Sequence, residues 1–202
     1  PLRRVYDFLS PEYEEFIGCP LAFIPAPEED GSPGDGVVSY ADYFLLPFLD
    51  ALEQIGVRPE VVMNHETYDK GLFADYIDSA IRNRDEIRGI IQQISGRDLP
   101  SDWFPYNPIG SDGSMDGVSV TGYEKPYVLW KDSSGNEGKS DIRKAHGKMP
   151  WRIDWAARWV IHGITCEPAG KDHGAAGGSY DTGIPICSLL GGNPPDKIVY
   201  EW

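Results

Sequence analysis

The sequence predicts an α/β fold interrupted by a small β-rich insertion. Three observations support this fold class. Helix-type and strand-type apolar patterns alternate in residues 1–95, turn residues with short β-like runs fill residues 96–147, and a helix pattern followed by a strand pattern returns in residues 148–202. We therefore divide the chain into these three parts.

The first part contains two helix patterns around one strand pattern. Residues 1–37 are rich in proline, glycine and acidic residues, which indicates a connecting segment. From Tyr40, apolar residues recur at the spacing of one helix face until Gly56, with Pro47 as a potential kink. Residues 57–63 are typical of a short buried strand, and one further helix is predicted from Phe73 to Gly96. Helix, strand and helix in this order indicate a layered α/β sheet.

The second and third parts differ in composition. Proline, glycine, serine and aspartate accumulate in residues 96–147 around β-like runs at 118–120 and 127–130, which predicts a β-rich insertion. Trp151, Trp155 and Trp159 then follow at a spacing of four residues and so share one helix face. We interpret Trp155 and Trp159 as core residues, whereas Trp151 at the helix start can offer a ring face to an ammonium group. A glycine-rich loop over 170–183 and a strand over 197–202 complete the chain.

The bulk properties exclude several classes of protein. A net charge of −14 argues against this segment being the main binding surface for nucleic acid. The charge is compatible with either a solvated surface or attraction of a cationic small substrate. No apolar stretch approaches the roughly 20 residues of a membrane helix, so we predict a cytoplasmic protein without a membrane partner. The three cysteines form no C-x-x-C pair, which predicts free, buried thiols. The chain does not begin with methionine, so we expect an excerpt of a longer protein.

The segment EPAGKDHGAAGGSYDTG, residues 167–183, is the most informative for chemistry. Glycines let backbone N–H groups approach a phosphate or ribose, Asp172 can accept hydrogen bonds from ribose hydroxyls, and Lys171 and His173 can donate to anionic oxygens. Its spacing fits neither the P-loop nor the dinucleotide-binding fingerprint. An ordinary surface loop therefore stays open as an alternative on pattern alone.

Three runs in fixed order carry a family resemblance: KMPWRIDWAARW at 148–159, EPAGKDH at 167–173 and GSYDTG at 178–183. Together with LRRV at 2–5, SYA at 39–41 and RNRDEI at 82–87, they make nearly the whole chain similar to the class I lysyl-tRNA synthetases of archaea and some bacteria. In that family a HIGH-type motif lies upstream of the first matched segment and a KMSKS-type motif lies shortly after the last. Neither is present in the 202 residues, so the resemblance identifies an internal fragment.

The resemblance implies a Rossmann-type catalytic domain that activates lysine with ATP, accompanied by Mg²⁺, and transfers it from lysyl-adenylate to tRNA(Lys). The tRNA is expected to bind mainly through regions outside this chain, and the isolated chain is expected to be inactive. By resemblance, Trp151, His173 and Tyr200 match positions for lysine, and Gly170 and Asp172 match the ATP motif that contacts the ribose.

Other residues of the glycine-rich segment are secondary candidates for substrate binding: Lys171, Gly178, Ser179, Tyr180 and Asp181. No catalytic residue is assigned within this chain. The carboxylate that would pair with the lysine ε-ammonium stays open between Asp154 and Asp181, each of which can equally be a structural cap or loop anchor.

One departure from the family concerns metal. Many members carry two cysteine pairs that bind zinc in the insertion, at positions that read NPIGSDG (107–113) and KDSSG (131–135) here. Without thiolates these turns cannot form the tetrahedral sulfur site, and His146 alone cannot replace it. We therefore predict no zinc and no other metal ligands.

Two other functions stay open from sequence. One is a non-catalytic lysine- or nucleotide-binding module derived from the synthetase, and the other is a related class I synthetase for glutamate. The tryptophan stripe favours lysine over glutamate.

Overall fold

A computed structural model describes residues 1–201 and shows an α/β protein. Residues 1–95 contain two short 3₁₀ helices, Pro11–Phe16 and Leu21–Phe23, followed by four α-helices. These helices are α1 (Tyr40–Gln54), α2 (Asn64–Asp69), α3 (Ala74–Arg82) and α4 (Arg84–Ser95). The Ser39 hydroxyl caps α1 by accepting from the Asp42 amide at 3.1 Å, so the predicted helix from Tyr40 is confirmed.

The predicted strand at 57–63 is wrong. No described strand pairs with this segment, and Val57, Val61 and Val62 are 46%, 44% and 50% exposed. A β-prone sequence forms a strand only where another strand satisfies its backbone groups, and residues 1–95 offer none. The layered sheet expected in the first part is therefore absent from the described residues of that part.

The predicted helix from Phe73 to Gly96 is two helices. The break lies at Asn83, whose backbone leaves the helical region with φ of −101° and ψ of 24°. Its side-chain amide and its backbone amide both donate to the Ser79 carbonyl, at 2.9 Å and 3.0 Å. The predicted end is confirmed, because Gly96 adopts the left-handed conformation with φ of 66° directly after α4.

The middle of the chain forms two small antiparallel sheets. Strands β2 (Ser119–Glu124), β3 (Tyr127–Lys131) and β4 (Glu137–Asp141) make a meander, and β1 (Asn107–Pro108) pairs with β5 (Gly147–Lys148). Asp78 on α3 ties the meander to the helices by accepting from Tyr123 at 2.8 Å and Lys125 at 2.9 Å. Burial raises the pKa of Asp78, but these donors and Arg82 outweigh it and leave the pKa below its usual value.

The last part contains the only parallel pair among residues 1–201. Helix α5 (Trp151–His162) precedes β6 (Cys166–Gly170), α6 (Lys171–Gly174), α7 (Ser179–Leu189) and β7 (Asp196–Tyr200). The glycine-rich stretch is therefore not one loop, since α7 begins at Ser179. Position 183 lies inside α7, and it is occupied by glycine because a Cβ there would lie 2.5 Å from the Trp159 ring. Trp202 of the predicted final strand lies outside the described residues.

Two hydrophobic cores hold these elements. The larger core joins α3, α4, α5 and α7 and includes the predicted core residues Trp155 and Trp159. A smaller core lies under residues 1–37, where the sequence had indicated only a connecting segment. It consists of Leu2, Leu9, Tyr13, Cys19, Ile24 and Tyr40, the last of which begins α1. Cys19 and Cys187 are free and buried as expected, but Cys166 at the start of β6 is exposed. Within residues 1–201, no helix has both the length and the apolar character needed to cross a membrane.

Candidate functional site

The candidate site lies at the carboxyl ends of β6 and β7. The two strands are parallel and pair Gly170 with Tyr200 in register, so both residues stand at the same edge. Helix α6 begins immediately after Gly170 and places Lys171, Asp172 and His173 at that edge. In open α/β sheets, the crevice at the carboxyl ends of strands is the usual place for a ligand.

Trp151 reaches this edge from the start of α5. Its ring centroid lies 5.9 Å from that of His173 and 5.3 Å from that of Trp155, which stacks against it at 25°. Trp151 is 48% exposed, whereas Trp155 and Trp159 are 6% and 1% exposed. The helix therefore buries two of its three indoles and leaves the first beside the imidazole.

Asp172 and His173 are adjacent and accessible. The Asp172 carboxylate is 3.7 Å from His173 Nε2, and its side chain is 76% exposed. A Cβ on Gly170 would lie 2.9 Å from Asp172 Oδ1, so the glycine leaves room for this exposed carboxylate beside the strand end. Trp151, Gly170, Asp172, His173 and Tyr200 thus lie in one region. Their roles stay a prediction.

The secondary candidates are mostly engaged in internal contacts. Lys171 forms an exposed ion pair with Glu201 at 2.8 Å. Ser179 and Tyr180 are buried, and the Tyr180 hydroxyl donates to the Pro195 carbonyl. The Gly178 carbonyl accepts from Arg152 at 2.9 Å. These contacts favour structural roles at the start of α7 for Gly178, Ser179 and Tyr180.

The two carboxylates considered for the lysine ammonium also have internal partners. Asp181 accepts from the Gly177 amide at 3.0 Å and lies 3.5 Å from the Lys197 ammonium. Asp154 accepts from Tyr68 at 2.6 Å and from Asn64 at 3.3 Å. These contacts favour a loop-anchoring role for Asp181, and they place Asp154 at the centre of a buried network.

Arg158 completes the Asp154 network, and sequence reasoning missed it. Its Nε lies 3.0 Å from Asp154 Oδ2, close enough for an ion pair although not aligned as a hydrogen bond. The same guanidinium lies 5.1 Å from the centroid of the Trp151 ring. The signal was available, because Arg158 follows Asp154 by four residues and Trp151 by seven, which places all three on one helix face.

Tyr68 on α2 joins the first part of the chain to this network. Its hydroxyl donates to Asp154 and accepts from the Met149 amide at 3.0 Å. Burial, together with the neighbouring Asp154 carboxylate, raises the pKa of Tyr68 well above its usual value, which keeps the hydroxyl protonated as a donor. A cavity of about 320 Å³ opens beside Tyr68 and Asn64, and no residue of β6, α6 or β7 lines it.

The two turns at the expected zinc positions meet through a hydrogen-bonded cluster, which we call the turn clasp: Ser111, Asp132 and Asn136. The Ser111 hydroxyl donates to Asp132 at 2.6 Å, and the Asn136 amide donates to Asp132 at 3.1 Å and to Ser111 at 3.0 Å. Because hydroxyl, amide and a single carboxylate are not the thiolate and imidazole donors of a structural zinc site, these residues do not fit zinc. Within residues 1–201, no three His, Cys, Asp or Glu side chains are grouped to hold a metal ion.

Comparisons with known proteins give a consistent result. The family model of class I (K) tRNA synthetases matches residues 1–202. The chain is 44% identical to a lysine–tRNA ligase of Picrophilus torridus over 203 residues, which cover 100% of this chain and 39% of that protein. It is 42% identical to a lysine–tRNA ligase of Archaeoglobus fulgidus, of which it covers 40%, and 41% identical to one of Methanocaldococcus jannaschii, of which it covers 38%. The chain thus spans about two fifths of these relatives.

Proposed function

Because this chain belongs to the class I (K) tRNA synthetases, we propose that it is part of the catalytic domain of a lysine–tRNA ligase. The complete protein activates lysine with ATP, bound as its magnesium complex, and transfers lysine from the adenylate to tRNA(Lys). The observation that carries the proposal is the convergence of Trp151, Gly170, Asp172, His173 and Tyr200 at one strand edge.

The chemistry of these side chains suits the two small substrates. The Trp151 indole and the Tyr200 ring offer apolar surface for the aliphatic stem of lysine and π faces for its ammonium. His173, between Trp151 and Asp172, is placed to donate to carboxylate or phosphate oxygens. The exposed Asp172 carboxylate can accept from the ribose hydroxyls, and Gly170 leaves the backbone open for close approach.

A Rossmann-type sheet is part of the proposal. β6 and β7 are parallel, which is the arrangement such sheets use, and two strands alone leave both outer edges open. Residues 57–63 have a strand-like sequence but no strand partner among residues 1–201, and the apolar side chains of Phe44 and Phe48 on α1 and of Ile55 just after it are 50%, 58% and 74% exposed. We infer that strands outside these 202 residues complete the sheet, with 1–95 in its first half, 96–147 as an insertion and 148–202 in its second half.

The proposal places the protein in the cytoplasm, where translation takes place. The net charge of −14 supports tRNA contacts that lie mainly outside these 202 residues.

The test is lysine-dependent exchange of pyrophosphate into ATP by the complete protein that carries this chain. We expect exchange with lysine and none with glutamate. We also expect Trp151→Ala and Tyr200→Ala each to raise the KM for lysine more than the KM for ATP, because both side chains are assigned to the amino-acid pocket. A glutamate-dependent reaction, or equal effects on both substrates, would contradict the assignment.

A further inference from the structure

Arg158 occupies a position that links the exposed indole of Trp151 to the interior. Its guanidinium lies 5.1 Å from the Trp151 ring centroid, within the range of a cation–π contact. The Arg158 side chain is only 29% exposed, so water screens this contact less than it would at an open surface.

The guanidinium is held by a carboxylate that is itself fixed. Asp154, whose side chain is 6% exposed, lies 3.0 Å from Arg158 Nε. Its other oxygen accepts from Tyr68 at 2.6 Å and Asn64 at 3.3 Å, and both donors belong to α2. The chain of contacts therefore runs from α2 through Asp154 and Arg158 to Trp151.

The indole of Trp151 needs such support. Trp151 is the first residue of α5 and is 48% exposed, so the helix alone does not fix its ring. Trp155 stacks on it, and Arg158 is the second side chain of α5 in contact with it. An exposed ring that is already ordered loses less conformational entropy when a ligand binds against it.

We propose that Arg158 is a positioning residue for the lysine site, setting the orientation of the Trp151 ring without touching the substrate. The inference rests on the proposed function. In this arrangement the Asp154 carboxylate pairs with Arg158, so other acceptors must bind the ε-ammonium of the substrate lysine. The alternative is that Arg158 competes with the substrate lysine for the Trp151 ring. In that case removing Arg158 would strengthen lysine binding, whereas loss of a positioning residue would weaken it.

The test compares Arg158→Met, Arg158→Lys and the wild type in lysine-dependent pyrophosphate exchange, using the complete protein. We expect Arg158→Met to raise the KM for lysine about 3- to 30-fold, the range that loss of one cation–π contact allows. The KM for ATP and kcat should stay within about twofold of wild type. Arg158→Lys keeps a cation near Asp154 and should recover part of the loss, and it carries the test if the methionine variant does not fold.

The matched control is Arg82→Met. Arg82 forms an i, i+4 pair with Asp78 on α3 at 3.0 Å, and the Asp78 side chain is 11% exposed. This variant breaks the same type of pair away from Trp151 and should leave the KM for lysine unchanged.

Three outcomes would overturn the inference. An unchanged or lowered KM for lysine in a folded Arg158→Met protein would exclude the positioning role. Equal increases in KM for lysine and ATP would indicate general damage to the site. Absence of lysine-dependent exchange from the wild type would contradict the proposed function itself. The other two outcomes would contradict only the role of Arg158.

Discussion

At the scale of single residues, the Tyr68 hydroxyl serves two partners at once. It donates to the buried Asp154 at 2.6 Å and accepts from the Met149 amide at 3.0 Å. Tyr68→Phe would leave the Met149 amide without this acceptor and Asp154 without its shortest donor. We expect a loss of about 1–3 kcal/mol in the free energy of unfolding, measured by urea denaturation.

The control for Tyr68→Phe is Tyr43→Phe. Tyr43 is 44% exposed on α1, so its variant should change the free energy of unfolding by less than about 0.5 kcal/mol. Equal effects of the two substitutions would mean that the hydroxyl of Tyr68 contributes no more than an exposed one.

Sequence and resemblance together predicted the candidate residues but not their neighbours. Trp151, Asp172 and His173 were identifiable because their motifs are distinctive. The role of Asp154 stayed open, because its donors Tyr68 and Asn64 lie 86 and 90 residues away along the chain. Contacts at such separations depend on how helices pack, which local patterns do not encode.

At the scale of elements, the turn clasp predicts a pH-dependent stability. Hydrogen bonds from Ser111, and then from Asn136 and two backbone amides, lower the pKa of Asp132 to about 2. Since this pKa lies below the unfolded value of about 3.9, the stabilisation is complete above about pH 4 and is lost as pH falls towards 2. Asp132→Asn should therefore lower the thermal midpoint at pH 6, and this difference from wild type should narrow below pH 4.

Asp50→Asn, at an exposed position of α1, is the control for the clasp and should show no such pH dependence.

Chelator treatment should leave the thermal midpoint of the wild type unchanged, and metal analysis should find much less than one zinc per chain. Retention of about one zinc through dialysis against a chelator would mean that the β-rich region over 96–147 is held by metal after all.

The sequence predicted helices better than strands, because apolar periodicity and end signals are local features of the chain. Helices α1 and α5 show their apolar periodicity and end at glycines, so both were predictable. Strand β4 was missed because Glu137–Asp141 is polar and forms a strand only by pairing with β3. The strand predicted at 57–63 was wrong for the opposite reason. Its apolar residues predicted a buried strand, but no described strand pairs with this segment.

At the scale of the whole molecule, we expect the isolated 202-residue chain to show no detectable lysine-dependent pyrophosphate exchange. Adenylate formation spreads negative charge over the α-phosphate and the leaving pyrophosphate, and preorganised donors stabilise that charge. Loss of even one such donor costs about 10²–10³ in rate, and the HIGH-type and KMSKS-type motifs are both absent from this chain.

The measurement is an exchange assay of the isolated chain and the complete protein at matched concentration. Weak binding of lysine or adenosine by the isolated chain is compatible with the prediction, because the five candidate residues are all present. Robust exchange by the isolated chain would instead place catalysis in groups to which we assign no catalytic role, first of all Lys171 and Arg152.

The indole stack of α5 gives the molecule an intrinsic optical probe. Ring centroids are 5.3 Å apart between Trp151 and Trp155 and 5.1 Å apart between Trp155 and Trp159, close enough for their electronic transitions to couple. The His173 ring centroid lies 5.9 Å from that of Trp151, so the exposed end of the stack borders the candidate site. Near-ultraviolet circular dichroism and tryptophan fluorescence should therefore report on binding against Trp151 at this strand edge without any added label.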